Sequence, residues 1–324
     1  MKYFVTGATG FVGGRVARQL RAAGHDVVAL VRDLGKAADL ATLGVQLVRG
    51  DVTEPASLGA MAGVDGVFHV AGWYKIGVKD VSPGIRVNID GTRNVLTAMR
   101  EHGILKGVYT STLAVNSDTR GQLVDETYRF AGTHLSEYDR TKAAAHAVAE
   151  EFIAQGLPLV IVQPGLIYGP GDAGPSHDFL VNYLRRKLPM LPQETAYSWA
   201  HVDDVARGHL LAMERGRVGE SYFVCGPTHT AIEALQLAEQ LCGVPAPTMT
   251  APPWIMKAMA SAMGLVEQVV AVPDTYSQEY LRVSAGATYI GNNAKAKREL
   301  AWTPRSLREG LDETLHYTMR TLGM

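Results

Sequence analysis

Cysteine is nearly missing: Cys225 and Cys242 are the only two in 324 residues. They cannot build a disulfide framework, and no CxxC or Cys/His spacing offers a zinc site, so no metal is expected. Net charge is nearly missing too, at −1. A nucleic-acid binder needs a basic face to neutralise phosphates, so that class is set aside, while a local basic pocket is still allowed. Long apolar runs are also scarce. The richest, Pro252 to Pro273, carries Lys257 and Glu267 and has prolines at both ends. A membrane span needs about 20 uninterrupted apolar residues. The segment reads instead as a buried or lid helix, with surface contact to lipid left open. Met1-Lys2 runs straight into Tyr3–Gly7. That stretch is too short for a signal-peptide core and has no small-residue cleavage site after it, so a cytoplasmic chain is expected.

What is plentiful is apolar residue, 47%, and glycine, 34 residues. Glycine stands above the usual ~7% but without a Gly-X-Y period, which excludes collagen. The length exceeds a usual single core, so two structural units or one large α/β domain are expected. Strand-length apolar runs lie at Tyr3–Thr6, Val27–Val31, Gln46–Val48, Gly66–Val70, Gly107–Thr110 and Leu159–Gln163. Helical periodicity lies between them, as in Val12–Leu20 and Asn94–Met99. Buried strands alternating with helices predict a doubly wound parallel sheet, an α/β Rossmann architecture whose ligands bind beyond the strand C-termini.

After Pro164 the pattern loosens. Residues 165–200 read as loops over a site. His201–Met213 reads as an amphipathic helix with an Asp near its start to cap free N–H groups. Ser221–Val224 is a further strand. The expected division is a dinucleotide-binding domain of residues 1–165 plus about 201–225. A smaller α/β substrate domain would take 166–200 plus about 226–324.

Thr6-Gly7-Ala8-Thr9-Gly10-Phe11-Val12-Gly13 is GxxGxxG between a strand and a helix. Gly7 permits the tight turn, Gly10 lets backbone approach a pyrophosphate, and Gly13 lets the helix pack on the strand. The end of the second strand selects the cofactor. An acid there binds a ribose 2′-hydroxyl; an Arg nearby accommodates a 2′-phosphate. Here Val31 ends the strand and Arg32 follows, with Lys36 behind it. NADP is therefore expected, with NAD possible if Asp33 takes the acid's place.

Tyr138-Asp-Arg-Thr-Lys142 is YxxxK, which on a helix puts both side chains on one face. An ammonium beside a phenol pulls the tyrosine down from ~10, and such a tyrosine can protonate a carbonyl as hydride arrives. Tyr183–Lys187 repeats the spacing, but it follows the last core strand among Arg185 and Arg186 and reads as an amphipathic surface helix. Upstream, Ser111 and Thr112 sit at a strand end, where a hydroxyl can hold a carbonyl oxygen.

TGATGFVG, HVAG at 69–72, VNIDGTRN at 87–94, TST at 110–112, YDRTK at 138–142, QPGLIYGPGD at 163–172 and HVDDVA at 201–206 follow one another in an order that resembles the extended short-chain dehydrogenase/reductase family. The resemblance spans about residues 1–225. It is nearest the dihydroflavonol-reductase-like and hopanoid-associated sugar-epimerase-like branches of this epimerase/dehydratase superfamily. It implies that Gly7, Gly10 and Gly13, with Thr9, Phe11 and Val12 between them, hold the pyrophosphate. Arg32 and Lys36 would meet the 2′-phosphate, Asp51 and Val52 the adenine, Ala71 and Pro164 the nicotinamide half. Thr112, Tyr138 and Lys142 would be the catalytic triad, Lys142 also holding the nicotinamide ribose. The resemblance further implies a homodimer through a four-helix interface made by helices near 91–102 and 140–155. Two departures stand on the substrate side: Gln163 where the family often has Arg, and Asn116 where Tyr is common.

Three activities fit these residues. One is an NADP(H)-dependent oxidoreductase reducing a ketone or aldehyde of an apolar or aromatic small molecule. The second is a nucleotide-sugar epimerase or dehydratase with tightly bound NAD(P), and the third a nucleotide sensor. A sensor has no use for the acid. A sugar nucleotide needs cations for its diphosphate. The lead-in Pro189–His201 has none; it has Tyr197 and Trp199 instead. With Ser111, Trp73, Tyr74 and Trp254, these could line an apolar substrate pocket, although each aromatic taken alone also fits a core.

Overall fold

The computed structural model describes residues 1–267, 270, 272 and 277–324. Thirteen strands are formed: β1 Lys2–Thr6, β2 Asp26–Val31, β3 Gln46–Arg49, β4 Gly66–His69, β5 Gly107–Thr110, β6 Leu159–Pro164, β7 Leu166–Tyr168, β8 Leu191–Pro192, β9 Ala196–His201, β10 Ser221–Val224, β11 Thr228–Thr230, β12 Thr250–Ala251 and β13 Thr288–Tyr289. Seven make one parallel sheet in the order β10-β6-β5-β4-β1-β2-β3.

Both faces of the central strands are buried, because successive side chains of a strand point opposite ways and most are apolar. Tyr3 and Val5 go to one core with Val27, Ala29 and Val31. Phe4 goes to the other with Val28 and Leu30. Helix Phe11–Ala22 covers the first face with Val16, Ala17 and Leu20, a 3.6-residue stripe, beside helices Val202–Arg215 and Ala294–Leu300. Helices Gly91–Glu101 and Glu137–Ala154 cover the second. The strand order reverses beside β1, between β2 and β4, which opens a crevice at their carboxyl ends.

The segment after Pro164 is more regular than loops. β9 is flanked by antiparallel β11 and by parallel β13 and β7. Helices Pro175–Leu184, Ala231–Cys242 and Leu307–Leu322 close a second core around Tyr168, Tyr183, Trp199 and Leu311. His201 is the last residue of β9 rather than a helical one. Its imidazole, not an aspartate, caps helix Val202–Arg215 by accepting from Asp203 N–H at 3.3 Å.

Tyr183–Lys187 is not a surface helix. The helix ends at Leu184, Tyr183 is buried and donates to Val244 O at 2.5 Å, and Arg186 has φ of 55°. The apolar segment does form a helix, Pro253–Val266, but one face of it is open to solvent. Pro273 lies outside the described residues. Among the described residues no helix is long and apolar enough to cross a membrane.

Candidate active site

The glycine loop turns at the crevice. Gly7 has φ of 72°, and a Cβ there would lie 2.7 Å from Ala71 N. A Cβ on Gly13 would lie 2.2 Å from the Gly7 carbonyl oxygen. Backbone therefore meets backbone on both sides of the loop, and helix Phe11–Ala22 starts directly above it with free N–H groups at Thr9, Phe11 and Val12 available to an anion. Thr6 fastens the floor: its buried hydroxyl accepts from Val70 and Ala71 N–H, both at 3.1 Å, and pairs with His69 Nδ1 at 2.8 Å. His69 Nε2 reaches Thr92 at 3.1 Å, and burial beside Lys142 holds its imidazole down to about 3, so it stays neutral.

On the adenosine side, Arg32 and Lys36 stand exposed just past β2. The Asp33 carboxylate turns back to accept Gly35 N–H at 2.9 Å. Asp51 likewise spends an oxygen on Thr53 N–H and hydroxyl, each at 2.9 Å. Val52 is buried, packed where Gly91 leaves room for it.

The three hydroxyl and amine groups meet at the carboxyl end of β5. Thr112 caps the 3-10 turn Leu113–Asn116, accepting Ala114 N–H at 3.2 Å, and its side chain lies near the Tyr138 phenol. Ser136 caps the helix that begins with Glu137, which fixes Tyr138 in its first turn. Lys142, one turn on and 5% exposed, donates to Thr110 O at 2.8 Å and Tyr109 OH at 3.3 Å. Desolvation brings its ammonium down to about 7. The same burial pushes the Tyr138 phenol up to about 12, against the pull of the Thr112 hydroxyl. The spacing predicts that the lysine draws the phenol down; here burial dominates the phenol's shift, with the Asp139 carboxylate adding to it.

Ser111 turns the other way. Its hydroxyl pairs with His146 Nδ1 at 2.8 Å, so it is not beside Thr112 on the substrate side as expected. Trp199 is 2% exposed, its indole donates to His229 O at 3.1 Å, and it packs on Tyr168 in the second core, so it does not line a pocket. Tyr197 stacks on Tyr289 with ring centroids 6.0 Å apart. The Tyr289 hydroxyl donates to Asp139 at 3.0 Å, and burial raises that carboxyl to about 7. Trp73 packs flat against Gly84, while Tyr74 is 53% exposed and reaches towards Gly174 across the cleft. Trp254 points to solvent. Pro164 is buried at the end of β6, and Gln163 donates to Thr112 O at 3.5 Å.

Two positioning residues had no part in the sequence reading. Asn88 accepts Trp73 N–H at 2.8 Å and donates to Trp73 O and Thr141 Oγ1, both at 3.0 Å, tying the loop after β4 to helix Glu137–Ala154. It lies within VNIDGTRN, and a buried amide there was the available signal. Glu279 bridges Gly77 N–H, at 2.5 Å, and Glu137 N–H. Nothing in the local sequence marks it.

A parallel nucleotide-binding sheet with this loop and hydroxyl–amine cluster defines an NAD(P)-dependent oxidoreductase. The model of the NAD dependent epimerase/dehydratase family matches residues 3–225, and the chain belongs to that family. It is 33% identical to a Synechocystis protein provisionally named dihydroflavonol 4-reductase, over 97% of this chain and 94% of that one. It is 31% identical to sterol demethylase protein B of Methylococcus capsulatus, over 100% of both chains. The crystal structure of gox2253 superposes with a TM-score of 0.84 at 31% identity, covering 99% of this chain and 98% of that one.

Proposed function

We propose that the protein is an NADP(H)-dependent reductase that converts a ketone or aldehyde of an apolar or aromatic small molecule to an alcohol. The observation that carries this reading is the meeting of Thr112, Tyr138 and buried Lys142 beside the glycine cradle. The cradle fits a dinucleotide, since the space a Cβ at Gly7 or Gly13 would fill is already closed by backbone and the loop can approach a pyrophosphate. When bound, the nicotinamide supplies the hydride. Tyr138, kept protonated by burial, gives its phenolic proton to the carbonyl oxygen. Thr112 orients the phenol and donates to the same oxygen as charge develops. Lys142, when protonated, stabilises the phenolate left behind, and Thr110 O and Tyr109 hold it in place.

Arg32 and Lys36 are free to meet a 2′-phosphate while Asp33 is engaged with its own loop, which supports NADP over NAD. Tyr74, Tyr197 and Tyr289 suit an apolar body. Names of full-length relatives point the same way, with a ketoreductase of Stigmatella aurantiaca 32% identical over 96% of this chain. UDP-glucuronic acid 4-epimerase of Bacillus cereus, at 21% identity and a TM-score of 0.79, shares the fold. We further propose the two-domain division at residues 165, 201 and 225. We also propose a homodimer through helices Gly91–Glu101 and Glu137–Ala154, which sedimentation would detect.

The test incubates the protein with NADPH and a panel of aromatic and aliphatic carbonyl compounds, following nicotinamide oxidation. Stoichiometric oxidation is expected, with NADPH bound at least about tenfold tighter than NADH and that preference lost in Arg32→Ala. No net oxidation, with an altered sugar formed from UDP- or dTDP-sugars, would make it an epimerase or dehydratase.

A further inference from the structure

Helix Pro253–Val266 has only two polar side chains, Lys257 and Ser261, both exposed along one edge of its open face. It buries Met256 and Ala260, yet Trp254 is 71% and Leu265 69% exposed. At 100° per residue, Trp254, Ala258, Ala262 and Leu265 share one arc, bordered by Met259 and Val266, and all of these are exposed. Met249 before the helix and Val270 after it are exposed too. From Gly243 to Val266 the one charged side chain is Lys257. Single exposed apolar residues are ordinary; a contiguous exposed apolar arc on one helix calls for a cover.

The helix sits beside the active site. Gly264 abuts the Gln278 side chain, and Glu267 accepts Gln278 N–H at 2.8 Å. From the adjoining helix Gln278–Ser284, Glu279 holds Gly77 and Glu137, and Arg282 donates to Leu135 O at 2.9 Å. Through helix Gln278–Ser284, helix Pro253–Val266 is therefore joined to the loop and helix start that frame Tyr138.

The area decides what covers it. A helix of 14 residues is about 21 Å long, so its face offers a few hundred Å2, well short of the ~800 Å2 per partner of a stable protein interface. A lipid surface needs no matching partner shape. A Trp at the helix start, and an edge of Ser261 and Lys257 whose amine can extend to the headgroups, suit a helix lying in a lipid interface. We propose that helix Pro253–Val266 lies in the surface of a phospholipid bilayer and turns the mouth of the active site towards it. The docking stands whatever the substrate; delivery of an apolar carbonyl compound from the bilayer rests on the reductase reading.

The experiment uses the whole protein and phosphatidylcholine vesicles, some with brominated acyl chains. Trp199 and Trp302 are buried and Trp73 is half-buried, so the difference in fluorescence between the native protein and Trp254→Phe isolates the exposed indole. Expected are co-sedimentation with vesicles and quenching of that component by bromolipid. Binding should weaken about tenfold or more in Leu265→Glu and in Ala262→Glu, with turnover of a water-soluble carbonyl compound unchanged. Failure of the native protein to bind, or equal binding by both variants, would overturn the proposal. So would a concentration-dependent dimer that Leu265→Glu abolishes in a protein that ignores vesicles, for then a second copy covers the face. Vesicle binding is read without turnover, so its failure is separate from failure of the reductase reading.

Discussion

Lys142 shows how one buried cation couples chemistry to stability. Its amine titrates near 7 in the folded chain and near 10.4 when unfolded. Between those values the unfolded state binds more protons, so folding stability rises with pH and is lost as pH falls towards 7. Denaturation of the cofactor-free protein should show a climb of up to about 1.4 kcal/mol per pH unit across that window. Lys142→Met should flatten it, and an unchanged climb in the variant would contradict the burial argument. Tyr138→Phe removes only the proton donor. It should lower turnover about 100- to 10,000-fold while cofactor affinity holds, measured by NADPH oxidation and fluorescence titration. Tyr138, Lys142 and Thr112 were legible because their spacing and their place at a strand end are local signals. The directions of their pKa values were not, since desolvation depends on packing from distant strands. Ser111 and Thr112 are adjacent and chemically alike; only backbone direction separates the one that faces Tyr138 from the one that faces His146.

At the level of elements, the strand–loop–helix unit is the most exacting. The contact between Gly13 and the Gly7 carbonyl is backbone on backbone, so neither side can yield cheaply. Gly13→Ala should lift helix Phe11–Ala22 at a cost of about 1–3 kcal/mol. Cofactor affinity should drop more than tenfold with circular dichroism unchanged; native affinity would mean the helix accommodates a methyl. Strands of the parallel sheet were readable to within a residue or two, because burial on both faces leaves uninterrupted apolar runs. The stretch Ile85–Asp90 was not readable. It is wound as a π-helix, and the wider turn aims Asn88 inward at Trp73 and Thr141. No 3.6-residue pattern announces such a turn. The elements after Pro164 were hidden for another reason: β7 and β13 are short, and glycine, proline and aromatics there resemble loop composition until their partners are known.

Across the whole molecule, a charge cluster joins the two cores. Arg305 binds both oxygens of Asp204 and reaches Glu313 at 2.8 Å. Arg15 lies 3.5 Å from Asp203, and His201 Nε2 3.6 Å from Glu313. Arg305→Ala would leave the largely buried Asp204 carboxylate without its partner and should cost about 1–3 kcal/mol, seen as a lower Tm. A Tm within error of the parent would mean that water replaces the guanidinium. The sheet itself spans the chain's discontinuity, for β10 completes it beside β6 only after residues 165–220 have been made. At about 5–20 residues per second, a ribosome takes roughly 3–11 s over that stretch. For those seconds the largely apolar strand Leu159–Pro164 waits with an unpaired edge, an invitation to intermolecular pairing that the folded protein does not present. Slower translation through residues 165–220 should therefore lengthen that exposure and lower the share of chain that reaches its native form, measurable as soluble yield.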